Sequence, residues 1–245
     1  MEAFSPTPSV LGYRVDRVDL TQARELIESR IHDGRGGFVV TLNPELVVRA
    51  RDDVALREAL EHADLMVADG IGIVWAARHQ GVILPGRVPG VDLATDLLRH
   101  GGASVPAFFL GGQPGVAERA AEVAEAQYGT NVVGVHDGYF SDAEAARVAE
   151  AVGRSGAKLI LAGLGERQER FLFDHQHAWR GAVSIGVGGT LDVLAGVAKR
   201  TPAWTRNTGL EWAWRIAADR KRWGRAPRLL AFVAHTLRSG RGVGA

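Results

Sequence analysis

The sequence predicts an α/β fold, a parallel sheet with helices on both faces, followed by a basic helical appendage. Three observations predict it. Short, continuous apolar runs bounded by glycine, proline or polar residues recur along residues 1–198. Stretches with apolar residues at helical spacing separate them. From Lys199 onward the chain turns basic and rich in tryptophan.

Taken in chain order, Val10–Leu20 reads as a short hairpin leading into a first helix at Thr21–His32. Phe38–Thr41 and Leu65–Ala68 read as buried strands, with helical spacing across Pro44–His62 between them. Ala107–Leu110 is the third strand, followed by a helix at Val116–Tyr128. Val132–Val135 is the fourth, followed by Ala143–Gly153, where Ser141 and Glu144 form a capping-box signature. Leu159–Ala162 and Val183–Val187 complete the set, with a helix at Gln168–Ala178 between them. Strands buried on both faces and alternating with helices require parallel pairing through crossover connections. The class is therefore Rossmann-like. The Thr201–Pro202 pair marks the change of character, so the expected division is an α/β catalytic domain at 1–198 and an appendage at 199–245. Within the appendage, Trp204–Ala218 and Pro227–Leu237 read as basic amphipathic helices, suited to a membrane interface or a protein surface.

Composition narrows the partners. With 245 residues, 46% hydrophobic and 23% charged, the chain is globular rather than disordered or fibrous. The absence of cysteine excludes a disulfide scaffold, a thiolate metal site and a cysteine nucleophile. Met1–Val10 lack a basic start and an apolar run, so no secretory signal is expected, and Val105–Leu110 and Leu229–Ala234 are too short to span a bilayer. The net charge of +1 conceals +9 on residues 199–245 against −8 on the rest. A basic end carrying Trp204, Trp212, Trp214 and Trp223 points to an anionic partner: nucleic acid, an anionic membrane or a diphosphate.

In open α/β sheets ligands bind at the carboxyl ends of the strands. The segments after the six predicted strands are Thr41-Leu42-Asn43-Pro44-Glu45, Asp69-Gly70-Ile71-Gly72, Gly111-Gly112-Gln113-Pro114-Gly115, Asp137-Gly138-Tyr139-Phe140, Gly163-Leu164-Gly165 with Arg167-Gln168-Glu169, and Gly188-Gly189-Thr190-Leu191-Asp192. Glycines for close backbone approach and a few small polar groups suit a nucleotide or phosphate cleft. Each segment also has an ordinary structural alternative. Thr41, Asn43 and Asp69 could be helix caps, the glycine pairs tight turns, Tyr139 and Phe140 core aromatics. The histidines show no metal-ligand spacing, and no G-x-G-x-x-G, P-loop or D-x-D pattern occurs.

These segments, in this order, resemble the WecG/TagA/CpsF glycosyltransferases. Arg87-Val88-Pro89-Gly90-Val91-Asp92 and Lys199-Arg200-Thr201-Pro202, followed by Gly209-Leu210-Glu211-Trp212 and Arg215, extend the likeness, which runs from about Leu11 to about Leu237. One departure stands out: the family commonly has Pro-Lys before Gln-Glu, and here Glu166-Arg167 precede Gln168-Glu169. The resemblance implies inverting, metal-independent transfer of a sugar from a UDP-sugar to a polyprenyl-diphosphate-linked sugar, with no cofactor. N-acetylmannosamine, its uronic acid and neutral hexoses are donors among relatives. It further implies a cytoplasmic protein, peripheral at the inner face of the cell membrane, docking through its basic appendage and able to form homo-oligomers.

On this reading Asp69 is the general base, Thr41 and Asn43 hold the reacting sugars, and Arg87 pairs with a phosphate or acceptor group. Tyr139, Gln168 and Asp192 are the candidates for uridine and ribose, and the Gly111-Gly112 and Gly188-Gly189 turns admit the diphosphate. Arg215, Arg220 and Arg222 would neutralise a diphosphate in place of a metal. Two alternatives come from other classes. A nucleic-acid module could use the basic tail, but leaves the strand-end polar groups without a role. A nicotinamide oxidoreductase suits the sheet but lacks the dinucleotide fingerprint.

Overall fold

A computed structural model of the chain describes residues 8–199 and 226–240. Ser9–Val10 (β1) and Tyr13–Arg14 (β2) pair antiparallel around a two-residue turn, Leu11-Gly12, both at positive φ (54° and 90°). Mirror-image turns of this kind match the twist of a hairpin. The hairpin thus ends at Arg14, and the chain reaches α1 (Leu20–His32) without regular secondary structure, with Asp19 capping the Gln22 N–H.

The body is a six-stranded, wholly parallel sheet formed by β3 (Gly37–Leu42), β4 (Leu65–Ala68), β5 (Ala107–Gly111), β6 (Val132–His136), β7 (Leu159–Gly163) and β8 (Val183–Gly186), in the order β4-β3-β8-β7-β5-β6. Alternate side chains feed two apolar layers, as the two-residue pleat requires. Phe38, Val40 and Leu42 of β3 point to one layer and Val39 to the other. The first layer is closed by α2 (Pro44–Asp52), α3 (Val54–Glu61), α4 (Ile71–His79), α7 (Asp142–Arg154), α8 (Gln168–His175) and α10 (Ala226–Arg238). The second is closed by α1, α5 (Gly90–Gly101), α6 (Val116–Tyr128) and the five-residue α9 (Thr190–Leu194).

Two differences from the periodicity have local causes. Pro44–His62 is two helices, not one, because Asp53 leaves helical geometry (φ −112°, ψ 99°) and turns its carboxylate to the Leu56 N–H at 2.9 Å. A short acceptor side chain competes with the helix in this way. Helices α4 and α5 fall where the glycines of Ile71-Gly72 and Pro89-Gly90 masked the apolar spacing. Gly72 has a packing reason: a Cβ there would lie 2.7 Å from Pro44 Cγ. By contrast α6 keeps its expected bounds, closed by Gly129 in the left-handed region (φ 65°), and Glu144 accepts from both the N–H and Oγ of Ser141 at 2.9 Å.

Helix α10 extends the expected Pro227–Leu237 by one residue at each end and packs on α2 and α4. Its Phe232 is 1% exposed within the first apolar layer, opposite Gly72. The expected helix Trp204–Ala218, the four tail tryptophans and Arg215, Arg220 and Arg222 lie outside the described residues.

Candidate active site

Because every strand of the sheet runs the same way, all six carboxyl ends open on one edge. In spatial order that rim presents Asp69 after β4, Thr41 and Asn43 at β3, Gly188, Gly189 and Asp192 after β8, Gln168 after β7, Gly111 and Gly112 at β5, and Tyr139 after β6. Neighbouring strands are about 4.8 Å apart, so the rim from β4 to β6 is about 24 Å long.

At the β3–β4 end, backbone bonds build a tight corner. The Asp69 N–H donates to Leu42 O, and the Val88 N–H donates to Ala68 O, both at 2.7 Å. Asp69, Arg87 and Asn43 therefore flank the same three chain segments, and Asp69 and Arg87 are both half-buried. Thr41 is 6% exposed and donates its Oγ1 proton to Gly186 O at 2.9 Å, tying β3 to the end of β8. Gly90, the first residue of α5, rests against the Thr41 side chain. The structural alternatives separate here. Asn43 is a cap, its Oδ1 accepting from Glu45 N–H (3.0 Å) and Leu46 N–H (3.1 Å). Thr41 is not one, and Asp69 is not one either, since Gly70 holds the cap position of α4 at φ 91°.

The middle of the rim is backbone. A Cβ on Gly111 (φ 138°) would stand 2.3 Å from Gly163 O, and one on Gly163 would stand 2.5 Å from Gly188 O. The Gly112 N–H points to Gly163 O (3.3 Å) and the Gly138 N–H to Gly112 O (2.8 Å). Four turns thus touch main chain to main chain, as only glycine permits. They straddle the point where the connection from β5 leaves for the sheet edge and that from β7 returns toward β8, which is where open sheets form a crevice.

Gln168 lies beneath these turns, 5% exposed. Its Oε1 accepts from the Gly188 N–H at 2.9 Å, and its Nε2 donates to Glu169 Oε1 at 2.7 Å. A Cβ on Gly186 would meet that Nε2 at 2.4 Å. These amide contacts are internal and set the Gly188-Gly189 turn. Asp192 is half-buried in the first turn of α9.

The sequence model of the glycosyl transferase WecG/TagA/CpsF family matches residues 8–243 of the 245. The chain belongs to this family. It is a glycosyltransferase family of cell-surface polysaccharide synthesis, so its members handle a sugar donor and an acceptor. No helix among the described residues is long and apolar enough to cross a membrane, and none of their His, Asp and Glu side chains form a group of three placed to hold a metal.

In this family member the Glu166-Arg167 pair is engaged on both sides. Arg167 donates to Phe140 O (2.7 Å) and Gly138 O (2.8 Å), with its guanidinium 3.9 Å from the Phe140 ring centroid. That grip holds the loop carrying Tyr139, which is 69% exposed, whereas Phe140 is a core aromatic. Glu166 accepts from Arg228 of α10 at 2.6 Å, and Arg228 also reaches Glu45 at 2.7 Å. Arg49 of α2 donates to the Glu166 backbone oxygen.

Glu169 is the residue that the strand-end reading left without a role. It is 4% exposed, and its Oε2 has no hydrogen-bond partner among the described residues. Burial raises its pKa above the ordinary glutamate value, opposed first by its own backbone N–H, then by the Gln168 amide and by Arg49. An acid in the first turn of a helix is the available sequence signal. Only the packing of α8 under the sheet edge makes it a buried one.

Proposed function

We propose that this transferase moves a sugar, N-acetylmannosamine or a relative of it, from a UDP-sugar to a polyprenyl-diphosphate-linked sugar, with inversion and without a metal. The observation that carries this is the corner where the chain segments bearing Asp69, Asn43, Thr41 and Arg87 are joined by the Leu42–Asp69 and Ala68–Val88 backbone bonds. It offers one carboxylate, a threonine hydroxyl, a capping amide and a cation beside a neighbouring stretch of rim made of glycine backbone.

In the proposed step the acceptor hydroxyl attacks the anomeric carbon while Asp69 removes its proton. The bond to the β-phosphate oxygen breaks on the opposite face, and UDP departs with the electron pair. A positioned carboxylate contributes about 10²–10⁴-fold. Asn43 and Thr41 keep the sugars in line, and Arg87 offsets phosphate charge. Toward β5 and β8, the Gly111-Gly112 and Gly188-Gly189 turns accept the donor diphosphate close to the backbone, and Tyr139 and Asp192 take uridine and ribose. Gln168 acts beneath them by holding Gly188. Arg215, Arg220 and Arg222 complete the neutralisation of the diphosphates from the basic appendage, which docks on the inner face of the membrane. Charge-assisted bonds of this kind replace a divalent cation.

The test is a screen of UDP-sugars by turnover, with a short lipid-diphosphate sugar as acceptor, in the presence of chelator. One donor should turn over without added metal. The Asp69→Asn variant should bind UDP normally and transfer about 10²–10⁴-fold more slowly. Near-normal turnover by that variant removes Asp69 as base, and full dependence on magnesium or manganese removes the metal-free mechanism.

A further inference from the structure

We infer that the C-terminal helix sets the donor-side loop of the rim through a three-residue relay, Arg228 to Glu166 to Arg167. The inference rests on the reading that Tyr139 meets the donor, and it adds a device that the reading does not contain. The turn Gly165–Arg167 is held from one side and holds on the other. From α10, Arg228 bridges Glu166 (2.6 Å) and Glu45 (2.7 Å), so one guanidinium joins the last helix, the first turn of α2 and this turn. From α2, Arg49 fixes the Glu166 backbone oxygen. The adjacent residue, Arg167, faces away and grips both carbonyls that bracket Tyr139, those of Gly138 and Phe140, while stacking on the Phe140 ring.

The chemistry of the gripping residue matters. A planar guanidinium holds its N–H donors in a rigid fork that reaches two carbonyls while its plane stacks on an aromatic face. A lysine ammonium is a compact, strongly hydrated charge with no plane to stack and no fixed fork. Tyr139 itself is exposed, and its local anchor is the Asp137 carboxylate on its own N–H (2.7 Å). Arg167 therefore fixes the loop's placement against the rest of the rim. Arg228 and Glu166 lie partly in solvent (36% and 61% side-chain exposure), so the relay is a modest bias rather than a lock. Docking of α10 thereby favours the donor-binding arrangement of residues 137–141. Arg167, Glu166 and Arg228 are positioning residues.

The experiment uses the full chain and two readouts. UDP affinity is measured by titration calorimetry, and amide exchange is followed across residues 137–141 and across α10. Arg228→Gln should weaken UDP binding by roughly two- to fivefold and speed exchange at 137–141 as well as in α10. Glu166→Gln should speed exchange at 137–141 likewise. The double variant should weaken UDP binding no more than Arg228→Gln, which already removes the Glu166 contact together with that to Glu45. Arg167→Lys should weaken UDP binding at least as much while leaving α10 exchange unchanged. Faster exchange confined to α10, or additive losses in the double variant, overturns the relay. If Arg228→Gln does not fold, Glu166→Gln, an exposed loop change, decides the same question. Wild-type protein that binds no UDP defeats the donor reading instead, and the exchange measurement still decides whether α10 governs the loop.

Discussion

Replacing Glu169 by glutamine is expected to stabilise the protein, and increasingly so as the pH rises. The side chain is 4% exposed, one carboxylate oxygen is engaged by Gln168, and the other has no hydrogen-bond partner among the described residues. Burial raises the folded-state pKa above the ordinary 4.5, so the folded protein holds this proton more tightly than the unfolded chain does. Stability contributed by the neutral acid is fully present below the unfolded value and is lost as pH rises through the folded one. Glutamine keeps the oxygen that accepts from Gln168 and places an uncharged NH₂ where the unpaired oxygen stood. That NH₂ finds no more partners than the oxygen did, so the cost of a neutral unpaired group, about 1–3 kcal/mol, is common to both proteins. The difference between them is the further cost of burying the charge. The variant should thus gain about 1–3 kcal/mol at pH 8, or roughly 2–12 °C in melting temperature for a chain of this size. At pH 4 the two proteins should melt together. Thermal melts of both proteins from pH 4 to pH 8 measure this. A gain that does not grow with pH, or a variant less stable at pH 8, refutes the reasoning.

Asn43→Asp should preserve the cap of α2 and the melting temperature, while Asn43→Ala should lose about 0.5–2 kcal/mol. If the Asn43 amide also holds a sugar, the aspartate variant transfers about tenfold more slowly at unchanged stability, as turnover and melts will show. Gly111→Ala sets a Cβ 2.3 Å from Gly163 O at φ 138°, and should cost about 2–6 kcal/mol in urea unfolding by overpacking and backbone strain. Phe232→Ala removes the 1%-exposed anchor of α10 and should cost about 3–5 kcal/mol, read by exchange as loss of protection in α10 while β3 and β7 stay protected.

The six strands were legible because each is a short apolar run closed by glycine or a polar residue, and a parallel strand buried on both faces has to be written that way. The ends of α6 and α7 were legible for a similar reason, since Gly129 and the Ser141–Glu144 pair act on their own backbone neighbours. The break at Asp53 was not, because a short acceptor side chain can either continue a helix or cap a new one. Nor were α4 and α5, because Gly72 and Gly90 are explained only by Pro44 and Thr41, which pack against them from elsewhere in the chain. The candidate site divides in the same way. That Thr41, Asn43, Asp69, Gly111, Gly112, Tyr139, Gln168, Gly188, Gly189 and Asp192 lie on one rim follows from strand direction alone. What each residue touches does not. Tertiary packing set Gln168 beneath Gly188 and buried Glu169 with one oxygen that has no hydrogen-bond partner among the described residues. It also stretched Arg167 and Arg228 across segments distant in sequence. Local patterns determine which segments become strands and which end they offer to a ligand, because backbone geometry and burial act over a few residues. Partners of buried polar groups are chosen by segments far apart in the chain, and only the assembled layers bring those together.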